Sequence, residues 1–276
     1  MIKILRSISI ELMREIKIIV PIYKSNLKEF ELLSIKRSLK VLHRYTFSIV
    51  CPQGLDIQEI ELLFKDHDHE VVRMSPDYFK SVESYNRLML SEEFYQQYLD
   101  TKYILICQTD VYVFRDELEF WCNLSYDYLG APWIGTPQIG FYKLLIDLGN
   151  QFKVVLGKRQ KKYNHLFKVG NGGFSLRKVY KHYEIVVKNK ALIEYYLNHK
   201  EKENFHIEDV FFSLKAPELD ASFSIPNWQE ALGFCIDRKP KLALKYSKGK
   251  LPFAIHGFNK PKVKVFWAPI IAQQND

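Results

Sequence analysis

The sequence lacks three features that would each have identified a common class of protein. None of its uninterrupted apolar runs reaches the roughly 18 residues that a membrane-spanning helix needs. Its four cysteines form no CxxC pair and no tight framework, which favours a reducing compartment. No GxGxxG follows the first predicted strand, so a dinucleotide-binding domain is unsupported.

The N-terminal 15 residues also lack the contiguous apolar block and the small-residue cleavage site of a signal peptide. Ile4, Ile8 and Leu12 are spaced four apart instead, which predicts an amphipathic helix over residues 1–15. Such a helix either docks on the domain or rests on a membrane surface. The net charge of +8 allows attraction to nucleic acid, anionic lipid or phosphorylated small molecules and does not choose among them.

Short apolar runs alternate with segments of helical spacing in the first part of the chain. This alternation predicts right-handed βαβ units and therefore an α/β fold, with a mostly parallel central sheet flanked by helices. The predicted strands are Lys17–Tyr23, Phe47–Pro52, Glu70–Met74 and Tyr103–Cys107. The predicted helices include Leu32–Leu42, Ile57–Phe64, Val82–Met89, a turn capped by Ser91, and a later helix from Arg177 to Lys190 capped by Ser175.

The fourth predicted strand leads into two polar residues, Gln108 and Asp110. The carboxyl end of a strand is where ligands bind in an open α/β sheet. A helix cap or a salt bridge would be a purely structural use of Asp110. The functional interpretation is a carboxylate that ligates a metal ion facing a phosphate-bearing substrate.

From Ile134 to Lys168 the regular alternation stops and glycine, proline and lysine become frequent. We predict a flexible excursion near the mouth of the active site. Its basic cluster, Gly157–Lys162, is either a solvated face, a lid, or a contact with an anionic acceptor or membrane.

A glycine-rich stretch, Gly170-Asn-Gly-Gly173, follows the excursion. Three glycines in four positions let the backbone approach a ligand closely and adopt positive φ, although a tight structural turn is the alternative. Asn171 offers both a donor and an acceptor. We therefore expect Asn171, Gly172 and Gly173 to line the substrate site.

Two further polar sets lie within apolar surroundings. Glu208 and Asp209 are adjacent. On physical grounds, the role of each is either to cap a helix start, where the helix dipole favours an acid, or to act as a general base with a perturbed pKa. His256 ends an apolar run that starts at Leu251, and Lys260 follows four residues later. We expect Asp110 and His256 to converge on one divalent ion, Mn²⁺ or Mg²⁺.

Together these stretches resemble the nucleotide-sugar-dependent glycosyltransferases of the GT-A fold. That resemblance implies a half-Rossmann nucleotide-binding half continuous with an acceptor-side C-terminal half. In the family, a sheet strand ends in an Asp-x-Asp motif whose last Asp binds the metal ion on the diphosphate. Asp110 takes that role here, and Gln108 replaces the acid that often contacts ribose.

The later motifs resemble two groups of such enzymes. Gly170–Arg177 followed by Glu208-Asp209-Val210 is similar to a motif pair of Fringe-like β1,3-glycosyltransferases, in which the second acid, here Asp209, is the catalytic base. His256–Pro261 is similar to the late motif of glycogenin-like enzymes, in which the His binds metal and the Lys, here Lys260, contacts phosphate. Its spacing is shorter by two residues than in that family.

The chain from Ile16 to Trp267, with Glu119–Cys122 and Tyr128–Trp133 between the motifs, also resembles a poorly characterised bacterial family of glycosyltransferases. The expected organisation is a single domain over residues 16–276. Its parts are a nucleotide-sugar-binding half (16–133), the excursion (134–168) and an acceptor and catalytic half (169–276).

The expected activity is metal-dependent transfer of a sugar from a nucleoside diphosphate sugar, preferably a UDP-sugar, to a hydroxyl acceptor with inversion. A carbohydrate or lipid-linked glycan is the expected acceptor, in bacterial surface-glycan synthesis. Retaining transfer and a non-catalytic sugar-nucleotide- or glycan-binding module are the alternatives. Nucleic-acid binding is disfavoured because the aromatic residues fall at core periodicities. We predict cytoplasmic residence, with peripheral contact to anionic lipid on the inner face of the membrane.

Overall fold

The computed structural model describes residues 14–135, 165–200 and 204–274. The strands are β1 (Arg14–Pro21), β2 (Thr46–Pro52), β3 (His69–Met74), β4 (Thr101–Cys107), β5 (Val111–Val113), β6 (Tyr128–Gly130), β7 (Phe174–Lys178), β8 (Cys235–Ile236) and β9 (Ala254–His256). The helices are α1 (Glu29–Val41), α2 (Gln58–Glu61), α3 (Val82–Met89), α4 (Glu92–Gln96), α5 (Leu118–Asn123), α6 (Val179–Lys188), α7 (Lys190–Asn198), α8 (Glu208–Val210), α9 (Ala216–Leu219), α10 (Trp228–Phe234), α11 (Pro240–Tyr246) and α12 (Pro261–Ala272).

Six strands form the central sheet in the order β3-β2-β1-β4-β7-β6. The pairs β1–β2, β2–β3 and β1–β4 are parallel, as the alternation of strands and helices predicted. The pairs β4–β7 and β6–β7 are antiparallel. Because β7 adds directly to β4, the residues after the excursion complete the sheet that the first half begins.

Both faces of the central sheet are covered. Successive residues of β4 point to opposite faces, so Leu105 joins one buried cluster with α1 while Ile104 joins another with α4 and α6. This explains why the last five residues of β4, Tyr103–Cys107, are continuously apolar rather than alternating. The predicted α/β class, a mostly parallel sheet flanked by helices, is confirmed.

A smaller sheet lies beside the first, in the order β5-β9-β8. Strand β5 is antiparallel to β9, and β8 is parallel to β9. Its outer face packs with α11 and α12 around the fully buried Trp267. This sheet holds several of the polar residues described below.

Two local predictions are wrong. Ser175 caps no helix, because Phe174–Lys178 is a strand and Ser175 is fully buried within it; the helix starts at Val179. Arg14 and Glu15 are not helical but begin β1. The rest of the predicted N-terminal helix, residues 1–13, lies outside the described residues, as do residues 136–164 of the predicted excursion.

The cysteines and the absence of a long apolar run also have structural counterparts. All four cysteines are buried free thiols. In the part of the chain that the structure describes, no helix has the length and apolar character to cross a membrane.

His182 of α6 is an ionisable group buried in an aromatic cage. Its ring lies 4.4 Å from that of Phe212, centroid to centroid, and is also in contact with Tyr95, Tyr128 and Phe223. Burial, with the nearby charge of Arg177, lowers the pKa of His182 well below its ordinary value. The neutral ring donates from Nδ1 to the Lys178 carbonyl, 3.0 Å away.

We expect His182 to make the fold sensitive to acid. Its folded-state pKa is depressed, so below about pH 6.5 the unfolded chain binds a proton that the folded chain does not. Stability should therefore fall by up to about 1.4 kcal/mol per pH unit below that point. In urea unfolding at pH 7 and pH 5, His182→Phe should lose less stability than the parent chain. An identical pH dependence in the two chains would contradict this assignment.

Candidate active site

The register of the small sheet brings two predicted ligands together. Asp110 directly precedes β5, and Val111 at the start of β5 is paired with His256 at the end of β9. The Gly257 amide also donates to the Asp110 carbonyl at 2.9 Å. Two residues that are distant in sequence thus become neighbours at the carboxyl end of β4.

The His256 imidazole bridges two carboxylates. Its Nε2 lies 3.1 Å from Oδ1 of Asp110, and its Nδ1 lies 3.2 Å from Oδ1 of Asp237. Lys260 reaches the same Asp237 oxygen, with Nζ 3.2 Å away. The four side chains form a line of alternating charge: Asp110, His256, Asp237 and Lys260.

The carboxylates keep the imidazole charged. Burial alone would lower the pKa of His256, but the hydrogen bonds and charges of Asp110 and Asp237 outweigh it and raise the pKa to about 9. Burial would likewise raise the pKa of both carboxyls, and His256 instead holds each of them below its ordinary value. In the ligand-free protein at neutral pH, His256 is an imidazolium between two carboxylates.

The donor atoms of Asp110 and His256 fit a divalent cation. Two neighbouring ligands bonded at about 2.1 Å in an octahedral shell lie about 3 Å apart, which matches their 3.1 Å separation. A cation there would replace the Nε2 proton, while Asp237 kept the ring oriented through Nδ1. The described residues contain no group of three or more His, Cys, Asp or Glu side chains arranged to hold a metal by themselves. The remaining ligands would therefore be substrate or water oxygens, as is usual for Mg²⁺.

The glycine loop makes room for these side chains. A Cβ at Gly172 would collide with the Glu208 carboxylate, and a Cβ at Gly173 would collide with the His256 imidazole. The glycines are therefore needed for close approach to the protein's own ionisable groups. The prediction of positive φ at the glycines of this loop is wrong, because it is Asn171 that takes the left-handed conformation, at φ 61°.

Glu208 is committed to a buried arginine. Its Oε2 accepts from Arg177 Nη2 at 2.9 Å, and both side chains are buried. Arg177 also donates to the Tyr95 hydroxyl and to Ser175 Oγ. Burial raises the pKa of Glu208 to about 7 against the opposing charge of Arg177. This carboxylate is the counter-ion of a buried cation, which limits its use as a base.

Asp209 differs from Glu208 in that one of its carboxylate oxygens is unsatisfied. Its Oδ1 is buried and has no hydrogen-bond partner among the described residues. Burial raises the pKa of Asp209, while the Val210, Asn171 and Gly172 backbone N–H groups oppose that rise. A buried carboxylate oxygen without a partner is costly, and a substrate hydroxyl would satisfy it.

A cavity of about 510 Å³ opens beside Asp110 at the ends of β1 and β4. Gln108 and Asp110 line one side of it, and the backbone N–H of Gln108 donates to the Gly173 carbonyl at 2.9 Å. Aromatic and basic side chains also line it: Tyr23, Phe30, Phe79, Lys80 and Tyr85. The acidic Glu31 and the hydroxyl-bearing Ser81 and Thr109 lie among them. The volume suits a nucleotide-sized ligand.

Asp237 and Arg177 were not predicted from the sequence as site residues. Asp237 follows the two-residue strand β8, which is too short to be recognised from its pattern. The sequence predicted a helix that starts at Arg177, but Arg177 lies in β7 with no exposed surface. No local pattern marked it as buried, because polar residues interrupt the apolar ones throughout Phe174–Lys178.

The fold is similar to that of a glycosyltransferase of known structure. The solved structure of mouse xyloside xylosyltransferase 1, in its apo form, is similar over 88% of this chain and 98% of that chain, with a TM-score of 0.54 and 11% sequence identity. The likeness confirms a GT-A-like fold. No curated protein matches the sequence.

The chain belongs to the family described as "Protein of unknown function (DUF5672)". The model of that family matches residues 68–256. The matched region begins just before β3 and ends at His256, so it contains Asp110, the glycine loop, Glu208 and Asp209.

We expect Gly173→Ala to disturb the charged line through His256. The added Cβ would lie 2.7 Å from Cδ2 and Cε1 of His256 and still closer to Nε2. Overpacking of this kind costs about 1–3 kcal/mol, which urea unfolding would measure. NMR of the His256 ring nitrogens should show the hydrogen bonds to Asp110 and Asp237 weakened.

Gly233→Ala is the matched control for this prediction. Its Cβ would lie 3.4 Å from the Trp121 ring, an ordinary contact, and Gly233 is inside helix α10, where alanine is favoured by up to about 1 kcal/mol. The control should be neutral or stabilising. Equal losses of stability in the two variants would show that the close approach at Gly173 is unimportant.

Proposed function

We propose that this protein is a metal-dependent glycosyltransferase that moves a sugar from a nucleoside diphosphate sugar to a hydroxyl acceptor with inversion. The observation that carries the proposal is the arrangement around the glycine loop. A cation-compatible pair, Asp110 and His256, lies on one side, and a carboxylate with a free buried oxygen, Asp209, lies on the other. The GT-A-like fold supports the same class of reaction.

The donor would occupy the cavity beside Asp110. Tyr23 and Phe79 offer aromatic surface for a nucleobase, and Lys80 offers positive charge for phosphate. Gln108 lies between these groups and the glycine loop, in the position proposed for ribose contact. We propose a UDP-sugar; the neighbour's name says that it transfers xylose to a xyloside, and a pentose donor is therefore a natural first test.

Asp110 and His256 would hold Mn²⁺ or Mg²⁺ against the diphosphate. When bound, such an ion neutralises the charge that develops on the leaving nucleoside diphosphate. Asp237 keeps the His256 ring oriented, and it also holds Lys260 beside the site. Lys260 would exchange Asp237 for a phosphate oxygen when the donor enters.

Asp209 would act as the general base. The acceptor hydroxyl gives its proton to this carboxylate as its oxygen bonds to the anomeric carbon, and the bond from that carbon to the diphosphate oxygen breaks. The raised pKa of Asp209 makes the carboxylate a better proton acceptor than an exposed aspartate. Glu208 keeps Arg177 neutralised, and Asn171 and Gly172 frame the space in which the sugar would lie.

We propose that residues 16–133 bind the donor and that residues 169–276 supply the base and the acceptor side. The proposed acceptor is a carbohydrate or a lipid-linked glycan of the bacterial surface. Its synthesis would place the protein in the cytoplasm, at the inner face of the membrane.

The test is donor turnover by the parent chain and by Asp209→Asn. A panel of nucleoside diphosphate sugars is incubated with and without Mn²⁺, and release of nucleoside diphosphate and binding of the donor are measured separately. We expect Mn²⁺-dependent turnover of at least one donor. Loss of a positioned base lowers rates about 10²–10⁴-fold. Asp209→Asn should therefore lower turnover by that factor while leaving donor affinity nearly unchanged.

Glu208→Gln is the contrast variant. The structure predicts that this variant loses stability, because Arg177 would keep a buried charge without its counter-ion. Normal turnover by Asp209→Asn would remove Asp209 as the base. Donor binding without turnover in the parent chain, with every acceptor tried, would favour a non-catalytic binding module. A product that retains the anomeric configuration of the donor would show that the transfer is retaining and not inverting.

A further inference from the structure

The net charge of the protein is concentrated in one C-terminal segment. Residues 238–276 contain nine of the 40 basic residues and one of the 32 acidic residues, the terminal Asp276. Residues 1–237 are left with 31 of each and are neutral overall. The charge of +8 is therefore a property of this segment, and a segment of one sign indicates a partner of the opposite sign.

All the basic residues of the segment except the half-buried Lys260 are exposed, and most of them form no ion pair within the described residues. Lys262 and Lys264 lie on α12, and four more lie on and just after α11: Lys241, Lys245, Lys248 and Lys250. None of these six forms an ion pair within the described residues. Lysines elsewhere commonly do, such as Lys178 with Asp127 and Lys181 with Asp220. The segment thus leaves its charge available to a partner.

Helix α12 is apolar on the side that faces away from the protein as well as on the side that faces the core. Val263, Trp267 and Ile271 point inward into the cluster that α12 shares with α11. Val265 is 82% exposed, and Ala268, Pro269 and Ala272 are exposed with it. Lys262, Val265, Pro269 and Ala272 follow helical spacing and form one outward stripe. A helix that is apolar around most of its circumference is normally buried in a core or in lipid.

We infer that the outer face of α11 and α12 docks on an anionic lipid bilayer. The lysines would contact lipid phosphates, while the outward stripe of α12 would enter the boundary between headgroups and acyl chains. This contact goes beyond the proposed transfer and does not depend on it. It also differs from the membrane contact expected from residues 1–15 and 157–162, because it is formed by α11 and α12.

The chemistry of the face favours lipid over other anionic or apolar partners. Its basic residues are lysines except for Arg238, which forms an ion pair with Asp237 at 3.3 Å. Surfaces that bind nucleic acid also carry aromatic residues for stacking and further arginines. Its exposed apolar residues are aliphatic: Val265, Ala268, Pro269 and Ala272. A second copy of the chain would bring the same positive charge and be repelled.

The face also lies next to the candidate active site. Lys260, which is held by Asp237, immediately precedes Pro261 at the start of α12. Docking of α12 on a bilayer would therefore hold the site close to the lipid surface. A lipid-linked acceptor would then meet the site without leaving the membrane.

The experiment is co-sedimentation of the full chain with phosphatidylcholine vesicles, with and without phosphatidylglycerol, at low and high salt. We expect binding that requires phosphatidylglycerol and weakens as salt rises. Each lysine near an anionic surface strengthens binding about fivefold, so reversing two of them in Lys262→Glu/Lys264→Glu should weaken binding by about 30-fold or more. Val265→Asp should weaken it about tenfold by placing a carboxylate in the apolar stripe.

Two controls carry the same chemical changes elsewhere. Lys36→Glu/Lys65→Glu reverses two exposed lysines on another part of the surface, and Leu62→Asp alters a side chain that is 64% exposed. Both should bind vesicles within about twofold of the parent chain, because distant exposed charges are screened.

Several results would overturn the inference. Among these are absence of vesicle binding by the parent chain and equal losses in the test and control variants. Another is binding of an oligonucleotide that is tighter than binding of the vesicles and that disappears in Lys262→Glu/Lys264→Glu. Dissociation of a dimer by Val265→Asp, with vesicle binding retained, would assign the face to a second copy instead.

Discussion

The structure depends on a backbone that passes directly against two ionisable side chains. Gly172 lies against the Glu208 carboxylate and Gly173 against the His256 imidazole, with no space for a Cβ at either position. Because the two residues are consecutive, they fix the separation of the groups that they contact. One contact leads to the charged line through Asp110 and Asp237. The other leads to Arg177 and Asp209.

The two sides of the glycine loop are held by different means. On the side of His256, the pairing of β5 with β9 fixes which residue stands next to Asp110, because a slip of one residue would turn the imidazole to the other face. On the other side, the buried pair of Arg177 and Glu208 fixes the start of α8. The helix then continues through a π-helical turn, Phe211–Lys215, a distortion that is frequent at functional sites.

Much of the fold and part of the site followed from local patterns in the sequence. Strands buried on both faces are recognisable because they are continuously apolar, and the end of such a strand located Asp110. The pairing of Asp110 with His256 was predictable because both end apolar runs, and the structure places them side by side. Metal binding by Asp110 and His256 stays a prediction.

The errors came from residues whose environment depends on distant parts of the chain. Ser175 and Arg177 have the pattern of a helix start, but β4 offers an open edge that draws them into a strand. Asp237 follows a strand of two residues that exists because β9 pairs with it. Local propensity cannot reveal either outcome, because both are decided by tertiary pairing.

The most direct measurement of the central claim is the electron paramagnetic resonance of Mn²⁺ bound to the protein with a nucleoside diphosphate. Protein labelled with ¹⁵N at histidine should show coupling of the metal to one histidine nitrogen. That coupling should disappear in His256→Gln and persist in His165→Gln, which alters a histidine outside the charged line. Bound Mn²⁺ without a histidine coupling, or a coupling that survives His256→Gln, would contradict the account.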